Sequence, residues 1–413
     1  MYLFPLFFSQ FFFNLKMNDD IVNVITNTIT NLDSELRSLS LKIHDNPELP
    51  NQEYNACHLL EDYLEEKGFK VMREAAGMPT AFMAEYTNGP GKRVAYCSEY
   101  DALPGVGHAC GHNLIAIAGV ACAMAVKALL EQNLLQGTVT LFGTPAEEGG
   151  NGKVTFVKEL EFQKRADFAM MLHPAPADSV VGPALAIDAV TIEFFGKASH
   201  AGMAPWNGIN ALDALMQGYN NVSMLRQQTL PTNRIHGNIT HGGNSANVIP
   251  DYASAKFLIR SVTRTQLAEL KSKFENCFKA AAGATGCRLS MSWLPNGATD
   301  DMFTNDTLAA SYQHFMEEEG VKFPTSEEAG SISMASSDFG NVSYVLPSLQ
   351  PVFKIDTSGP NHTHEFAKAA RTKQAHQATL RASQCLAKTA AEMYLNPAMF
   401  EKAWKDFRKG KPQ

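Results

Sequence analysis

The spacing of apolar residues along the chain alternates between helical and strand-like, and this alternation predicts the elements. Helical spacing covers 33–47 and 53–67, and Gly68 follows the second run as a helix C-cap would. The alternation continues in three short apolar runs that predict strands and in two helical stretches between them: 93–104, 137–148 and 166–174, with 114–132 and 154–160. Strands separated by helices are typical of a largely parallel, buried sheet with helices on both faces.

A different order of elements begins at Ile187 and ends near Asp300. The pattern predicts strand, helix, strand, strand, helix and strand, with Thr265 as a possible cap of the second helix: 189–196, 210–227, 234–242, 252–261, 266–282 and 287–294. This is the ferredoxin-like arrangement, a sheet with two helices on one face. A domain inserted into an α/β domain is the simplest account, because insertion is tolerated where the two ends of a loop lie close together.

The alternation of helix and strand resumes after the inserted segment, with a helix near 308–319, a strand near 349–355 and a long C-terminal helix from Glu365. We therefore predict an α/β fold with an inserted ferredoxin-like α+β domain. Its sheet is mixed, mostly parallel, and has helices on both faces. The predicted boundaries are 17–187 plus 301–413 for the larger domain and 188–300 for the inserted one.

Composition and charge narrow the possible partners. The 413 residues are 45% hydrophobic and 19% charged, as in an ordinary soluble globular protein. Because the formal net charge is −7 and no run is rich in Lys and Arg, we expect no nucleic-acid partner. The seven cysteines are an odd number without framework spacing, which predicts a reducing compartment and a cytoplasmic protein.

The first sixteen residues are unusually apolar, with LFPLFF followed by FFF. They lack the basic start and the cleavage site of a signal peptide, and they are too short to span a bilayer. We expect 1–16 to be a misassigned start or a disordered tail ahead of Met17. No other apolar run approaches the length of a membrane span, about 18 residues, so we expect no membrane partner.

Candidate chemistry is concentrated where predicted strands end, which is where open α/β sheets bind their ligands. In the first cluster, Asp101 precedes a glycine-rich loop with Cys110 and His112, a thiol and an imidazole that can point at one ion. In the second, Glu147 and Glu148 are adjacent, so that one carboxylate could bind a dication while the other serves as general base. The alternative for this pair is an acidic surface loop.

Three further clusters contain histidine. His173 directly follows an apolar strand, and His362 and His364 open the last helix. The inserted segment contributes a histidine flanked by small residues and two candidate polar partners: His200, Asn247 and Arg260. Each of these histidines taken alone is more often structural than catalytic, and it is the joint occurrence of the clusters that favours a metal site.

Six motifs in this order, CGH, PAEEGGNG, LHPAP, GKASHAG, NVIPD and HTHEF, resemble those of the two-metal aminoacylase and carboxypeptidase family of metallopeptidases. The resemblance covers about residues 34–390. Within the family, the chain is similar to the amidohydrolase branch that includes indole-acetyl-amino-acid, hippurate and p-aminobenzoyl-glutamate hydrolases. The stretches EYDALPGVGHACGHN and SSDFGNVS resemble the Xaa-Arg, or β-alanyl-lysine, dipeptidases.

The resemblance implies two divalent metal ions, with zinc favoured by the donor types and manganese or cobalt as alternatives. It implies five ligands: Cys110, His112, Glu148, His173 and His362. Glu147 matches the general base, and Asp101 matches an acidic residue that orients a ligand. His200 matches a lid-domain histidine that reaches into the site, in some related dimers from the other protomer. The implied substrate-binding positions are Asn247, Arg260 and Gly359.

Two positions depart from the family pattern. Glu99 stands where members outside the branch usually have a histidine, so the loop with Cys110 and His112 must supply what that histidine would have given. His364 stands where relatives often have proline. The ligand role is assigned to His362 by alignment with HTPEF, and His364 is the alternative.

The implied reaction is hydrolysis of a small amide by metal-activated water, with Glu147 as base and dipeptides with a basic C-terminal residue as substrates. N-acyl amino acids or p-aminobenzoyl-glutamate are alternative substrates, and a catalytically silent relative that binds a partner is an alternative of another class. A hydrolase with Cys110 as nucleophile is disfavoured because it leaves Glu147, Glu148 and His362 without a role. The sheet edge of the inserted domain could pair with a second copy, which predicts a homodimer, with a closed monomer as the alternative.

Overall fold

The computed structural model describes residues 17–181, 185–323 and 335–410, so the apolar segment 1–16 lies outside the described residues. The described residues form two compact units. One contains 17–181, 303–323 and 341–410, and the other contains 185–302 and 335–340. The second unit is thus inserted into the chain of the first, as predicted.

The α-helices of the described residues have the following bounds: α1 (Asp19–Asn31), α2 (Asp33–His44), α3 (Tyr54–Glu66), α4 (His112–Glu131), α5 (Gly152–Lys158), α6 (Glu161–Arg165), α7 (Ala211–Leu225), α8 (Arg264–Thr285), α9 (Asp306–Glu318), α10 (Phe339–Ser343), α11 (His364–Ala370), α12 (Lys373–Leu395) and α13 (Pro397–Gly410). The strands are β1 (Lys70–Arg73), β2 (Phe82–Thr87), β3 (Lys92–Ser98), β4 (Gly137–Gly143), β5 (Phe168–Met170), β6 (His173–Ala175), β7 (Ala186–Phe195), β8 (Arg234–His241), β9 (Tyr252–Ser261), β10 (Arg288–Trp293), β11 (Ser348–Leu349) and β12 (Val352–Lys354).

The main sheet has six strands in the order β1-β2-β4-β3-β5-β11. Strands β4, β3, β5 and β11 are parallel, whereas β1 and β2 are antiparallel additions at one edge. The sequence pattern did not predict β1 or β2. The physical reason for β1 is that its four residues lie exposed or half-buried at the sheet edge and so carry no apolar run.

Two predicted strands are each divided in the structure. The apolar run 166–174 forms β5 in the main sheet and then β6, which leaves that sheet and pairs with β12. The segment 349–355 divides in the same way, into β11 beside β5 and β12 beside β6. The prediction of one strand in each segment was therefore wrong, because an apolar run does not reveal where the chain changes its partner strand.

The two faces of the main sheet are covered by different helices. Val139 and Leu141 of β4 belong to the same buried cluster as the residues of α4. Phe142 points to the opposite face, since side chains alternate along a strand. Its ring stacks on that of Phe162 in α6, with centroids 4.2 Å apart. Helices therefore lie on both faces, and the predicted fold class is confirmed.

Helix α4 is the most apolar of the long helices in the larger unit. Among the described residues it is the one helix long and apolar enough to cross a membrane, and 94% of its most apolar window is buried inside the protein. It packs against β3, β4 and α12. A helix that is apolar on all sides is expected in such a central position.

The inserted unit has a four-stranded antiparallel sheet in the order β10-β7-β9-β8, against which α7 and α8 pack. Its core is separate from that of the larger unit and contains Phe194, Phe257, Phe274 and Phe278. The ferredoxin-like prediction is confirmed, but the predicted cap at Thr265 was wrong. The side chain of Thr263 instead accepts a hydrogen bond from the amide of Gln266 at the start of α8.

The predicted long C-terminal helix is three helices, α11, α12 and α13. The hydroxyl of Thr372 accepts a hydrogen bond from the amide of Ala375 and so begins α12, and Pro397 begins α13. The hydroxyl of Thr363 accepts a hydrogen bond from the amide of Phe366 and begins α11. This places Thr363 directly after His362, a predicted ligand.

Candidate metal centre and active site

The predicted site residues of the larger unit follow the ends of neighbouring strands. Asp101 follows β3, Glu147 and Glu148 follow β4, and His173 begins β6 after β5. Because β3, β4 and β5 are parallel, their carboxyl ends lie at one edge of the sheet. The structure brings these side chains to a common place, since Asp101, Glu147 and Glu148 approach His112 and His173 approaches Cys110.

The Cys110-Gly111-His112 turn depends on its glycine. Gly111 has φ +80°, a backbone conformation that residues with a side chain rarely adopt. A Cβ atom there would lie 2.6 Å from Cγ of Pro174. On one side of this glycine, Sγ of Cys110 lies 3.4 Å from Nε2 of His173. Burial, followed by the charge of Glu148, raises the pKa of the Cys110 thiol, and a bound dication would reverse that effect.

His112 is the first residue of α4 and is fully buried. Its Nδ1 donates to Asp101 at 2.9 Å, which leaves Nε2 as the ring atom available to a ligand. Burial alone would lower the pKa of His112, but the adjacent Asp101 carboxylate raises it well above its usual value. Burial by itself would raise the pKa of Asp101. The charge and hydrogen bond of His112, together with the Glu148 amide, outweigh burial and hold the pKa of Asp101 below its usual range. Asp101 thus orients His112 and also accepts from the amide of Glu148 at 2.9 Å.

Backbone hydrogen bonds close the loop that carries Glu147 and Glu148. Ala146 has φ +58°, and its carbonyl accepts hydrogen bonds from the amides of Gly150 and Asn151. Oε1 of Glu148 lies 3.2 Å from Nε2 of His362. Oε2 of Glu147 lies 3.9 Å from Nε2 of His112 and is almost fully buried. The two adjacent carboxylates therefore face the site, which argues against the alternative of an acidic surface loop.

His362 approaches the site from a turn with φ +70°. Its amide donates to the carbonyl of Ala109 at 2.8 Å, and the side chain remains half-exposed. His364, the alternative ligand, is the first residue of α11 and is exposed. Among the described residues, His362 belongs to a group that could hold a metal ion, and His364 does not.

Three groups of donor atoms in the described residues could each hold a cation. Within each group the atoms lie no more than 4.8 Å apart: Cys110, His112 and His173; Cys110, Glu148 and His362; and Glu99, His112 and Glu147. The first two groups share Cys110, and together they contain all five predicted ligands. Thiolate, imidazole and carboxylate are the donors of zinc and related divalent ions.

Buried atoms without partners support a fit to such ions. Nε2 of His112 and Oε2 of Glu99 are buried, and neither has a hydrogen-bond partner in the part of the chain that the structure describes. A buried polar atom left in this way costs about 1–3 kcal/mol. A cation bound by these atoms would offset that cost, so the residues present fit a divalent metal centre.

Of the remaining predicted site residues, Gly359 belongs to the larger unit and the other three belong to the inserted unit. Gly359 lies three residues before His362, where its carbonyl accepts from the hydroxyl of Thr357. In the inserted unit, His200 and Asn247 are brought together, since the amide of Ala201 donates to the carbonyl of Asn247. Nδ1 of His200 accepts from the amide of Met203 at 3.1 Å, which leaves its Nε2 on an exposed ring.

Arg260 is not brought to this pair. His200 and Asn247 lie beside the beginning of β9, whereas Arg260 is close to its end. Arg260 is eight positions beyond Tyr252 in this extended strand, so the two residues lie about 27 Å apart at about 3.4 Å per residue. One guanidinium nitrogen of Arg260 donates to the hydroxyl of Ser336 at 3.3 Å.

Two buried residues at the site were missed by the sequence analysis. Glu53 accepts hydrogen bonds from the amide of Ala146 at 2.8 Å and from the hydroxyl of Thr80 at 2.9 Å, and so supports the loop that carries Glu147. Burial, followed by the charge of Asp101, raises the pKa of Glu53. Lys153 forms a buried ion pair with Glu99. Neither residue stands in a motif with a fixed spacing, so no sequence signal identified them.

Comparison with known proteins agrees with the fold. Residues 186–286 match the model of the peptidase dimerisation domain. Xaa-Arg dipeptidase of Mus musculus is 39% identical, over 90% of this chain and 89% of its own. A p-aminobenzoyl-glutamate hydrolase chain of Escherichia coli (strain K12) is 30% identical, over 87% of this chain and 89% of its own. The fold is also that of a dinuclear metal-binding peptidase of the M20 family from Bacillus subtilis, with a TM-score of 0.66, 20% identity and coverage of 89% of this chain and 99% of that one.

The similarity to the dipeptidase and to the aminobenzoyl-glutamate hydrolase extends well beyond the inserted unit, over most of each chain. Both relatives are named as hydrolytic enzymes, and the site described above has the donors that metal-dependent hydrolysis of an amide requires. The protein therefore belongs to the M20 family of metal-dependent peptidases and amidohydrolases, to which the Xaa-Arg dipeptidases are related.

Proposed function

We propose that the protein is a dipeptidase that hydrolyses dipeptides with a basic C-terminal residue. The observation that carries the proposal is the pair of ligand groups that share Cys110, with Glu147 beside them. The preference for a basic residue rests on the names of two relatives, the Xaa-Arg dipeptidases of mouse and human, at 39% and 36% identity.

The proposed centre holds two divalent cations, with zinc favoured by its thiolate, imidazole and carboxylate donors and manganese or cobalt as alternatives. When bound, such cations polarise a carbonyl and lower the pKa of water. Glu147 takes the proton from the attacking water and passes it to the departing amine. Asp101 keeps His112 in the tautomer that leaves Nε2 available, through the 2.9 Å hydrogen bond to Nδ1.

The substrate's carboxylate is proposed to bind Arg260. Its guanidinium is half-buried and in contact with Ser336, and a guanidinium pairs well with a carboxylate. A dipeptide is only about 7 Å long, so it cannot contact both Arg260 and the pair of His200 and Asn247 in the same chain. We therefore propose that Arg260 and this pair contact different substrate molecules and, following the resemblance to related dimers, that His200 completes the active site of a second copy of the chain.

This assignment requires a homodimer, which three features of the inserted unit support. The inserted unit matches the peptidase dimerisation domain and exposes large apolar side chains, with Trp206 78%, Met203 73% and Met224 68% exposed. Strand β8 also lies at an edge of its sheet. The seven cysteines, an odd number without framework spacing, support a reducing, cytoplasmic location.

A substrate screen with defined metals tests the proposal. Purified protein loaded with zinc, manganese or cobalt is incubated with dipeptides ending in Arg or Lys, dipeptides ending in Glu, N-acetyl amino acids and p-aminobenzoyl-glutamate, and released amino acids are measured. We expect the highest kcat/KM for the basic dipeptides. A preference for p-aminobenzoyl-glutamate would favour the second candidate, which the 30% identical Escherichia coli relative supports.

A further inference from the structure

A buried ion pair lies beside the candidate metal centre. Glu99 follows β3 and Lys153 lies in α5, and both side chains are fully buried. Nζ of Lys153 is 2.6 Å from Oε1 of Glu99. Burying two charges is costly even when they are paired, so the position of this pair calls for a role beyond folding.

The second oxygen of Glu99 has no hydrogen-bond partner among the described residues. It faces Nε2 of His112, which also has none, at a distance of 3.4 Å. This distance exceeds the usual length of an N–H···O hydrogen bond, about 2.7–3.2 Å. It matches two ligands of one ion, since donors bound tetrahedrally at about 2.1 Å lie about 3.4 Å apart.

A third donor points to the same place. Glu99, His112 and Glu147 form one of the groups that could hold a cation, and they were not predicted as a ligand set. We propose that Glu99 is a ligand of the cation that His112 binds, and that Lys153 positions it by holding its other oxygen. This inference rests on the metal centre of the proposed function and adds a ligand to it.

The charge of Lys153 explains how a further carboxylate can be present. Asp101, Glu147 and Glu148 already bring negative charge to the site, and another carboxylate would repel them. Lys153 offsets the charge of Glu99 through Oε1 and leaves Oε2 directed at His112. Glu99 therefore binds a cation without adding to the net charge of the site.

Metal binding by three variants separates this role from a purely structural one. In Lys153→Met the carboxylate remains, whereas Glu99→Gln with Lys153→Met removes both charges and leaves no buried ion unpaired. Glu61→Gln is the matched control, because Glu61 is also buried and paired with a cation, Arg73, at 2.8 Å. Each apoprotein is titrated with zinc by calorimetry, its fold is checked by circular dichroism, and its metal content is measured after dialysis.

We expect wild type and Glu61→Gln to bind two zinc ions per chain with equal affinity, and Lys153→Met to bind two with the Kd of one of them raised about 10–100-fold, as for a residue that positions a ligand. In the double variant the Kd of one zinc should rise about a hundredfold or more, beyond the 10–100-fold typical of residues that only support a ligand. If the double variant binds both ions within tenfold of the wild-type Kd, Glu99 is not a ligand, and the proposed metal centre is unaffected. Wild-type protein that binds no zinc would overturn the proposed metal centre as well.

A second measurement does not depend on how the variants fold. Anomalous scattering from crystals of the zinc-loaded wild-type protein locates each ion directly. We expect Oε2 of Glu99 to lie within about 2.0–2.2 Å of the ion bound by His112. A separation greater than 3 Å in every copy would contradict the inference, whatever the variants do.

Discussion

At the scale of single residues, the site consists of side chains whose orientation is set by other side chains. Asp101 orients His112, Glu53 holds the loop before Glu147, and Lys153 holds Glu99. The ligand types were predictable because cysteine, histidine and glutamate occur in short motifs. The supporting residues were not, because Glu53 lies 93 residues from Ala146 in sequence, and a buried carboxylate far from its partner resembles any other acidic residue.

Glu147→Gln tests the general base. The amide keeps the shape of the side chain but cannot accept a proton, so we expect kcat to fall by about 10²–10⁴-fold with unchanged metal content. The measurement is steady-state hydrolysis of an Xaa-Arg dipeptide, together with metal analysis of the same sample. Glu61→Gln, a buried carboxylate on α3, is the control and should keep wild-type kcat. Near wild-type activity of Glu147→Gln would show that another group is the base.

At the scale of elements, strands with continuous apolar runs and helices with a regular apolar face could be predicted, as β3, β4 and α4 were. Elements at an edge, such as β1, could not, because their side chains are not buried by a second layer. The end of a helix is also difficult to predict within a continuous helical pattern. The break between α11 and α12 depends on the hydroxyl of Thr372, which the apolar spacing does not reveal.

The glycine between the two ligands of the first motif provides a test at this scale. Gly111→Ala should lower both metal affinity and thermal stability, since its Cβ would approach Pro174 to 2.6 Å at φ +80°. Gly105→Ala is the matched control in the same loop, with φ +76° and no atom within 4 Å of its Cβ. We expect both variants to lose about 1–3 kcal/mol from backbone strain. Only Gly111→Ala should lose zinc affinity, by at least about tenfold.

These two variants are compared by thermal unfolding and by zinc titration of the apoproteins. Equal zinc affinity in both would mean that the turn between Cys110 and His112 adjusts without cost to the ligands. The assignment of Gly111 as essential to the metal site would then be incorrect.

At the scale of the whole molecule, the chain is two units with separate hydrophobic cores, and the inserted unit matches a dimerisation domain. The order of strands and helices was sufficient to predict this organisation. The order of elements did not reveal how far Arg260 lies from the start of β9, because that distance follows from the extended strand in the sheet. That distance supports the proposal that His200 and Arg260 of one chain contact different substrate molecules.

Mixed dimers test this assignment. His200→Ala and Glu147→Gln variants are co-expressed with different tags, and dimers that carry both tags are isolated. If His200 acts on the partner's site, each mixed dimer has one complete site and should recover about half of the wild-type kcat. Dimers of either variant alone should remain at the low activity of that variant. Mixed dimers no more active than their parents would show that His200 acts within its own chain or not at all.

The central claim is that Cys110, His112, Glu148, His173 and His362 bind cations that enable water to attack an amide bond. The most direct test is to remove all metal with a chelator and then measure dipeptide hydrolysis as zinc is returned in known amounts. We predict no activity in the apoprotein and a linear rise to a plateau at about two ions per chain, as in dinuclear sites. Full activity in the metal-free protein would contradict the account and would favour Cys110 as a nucleophile.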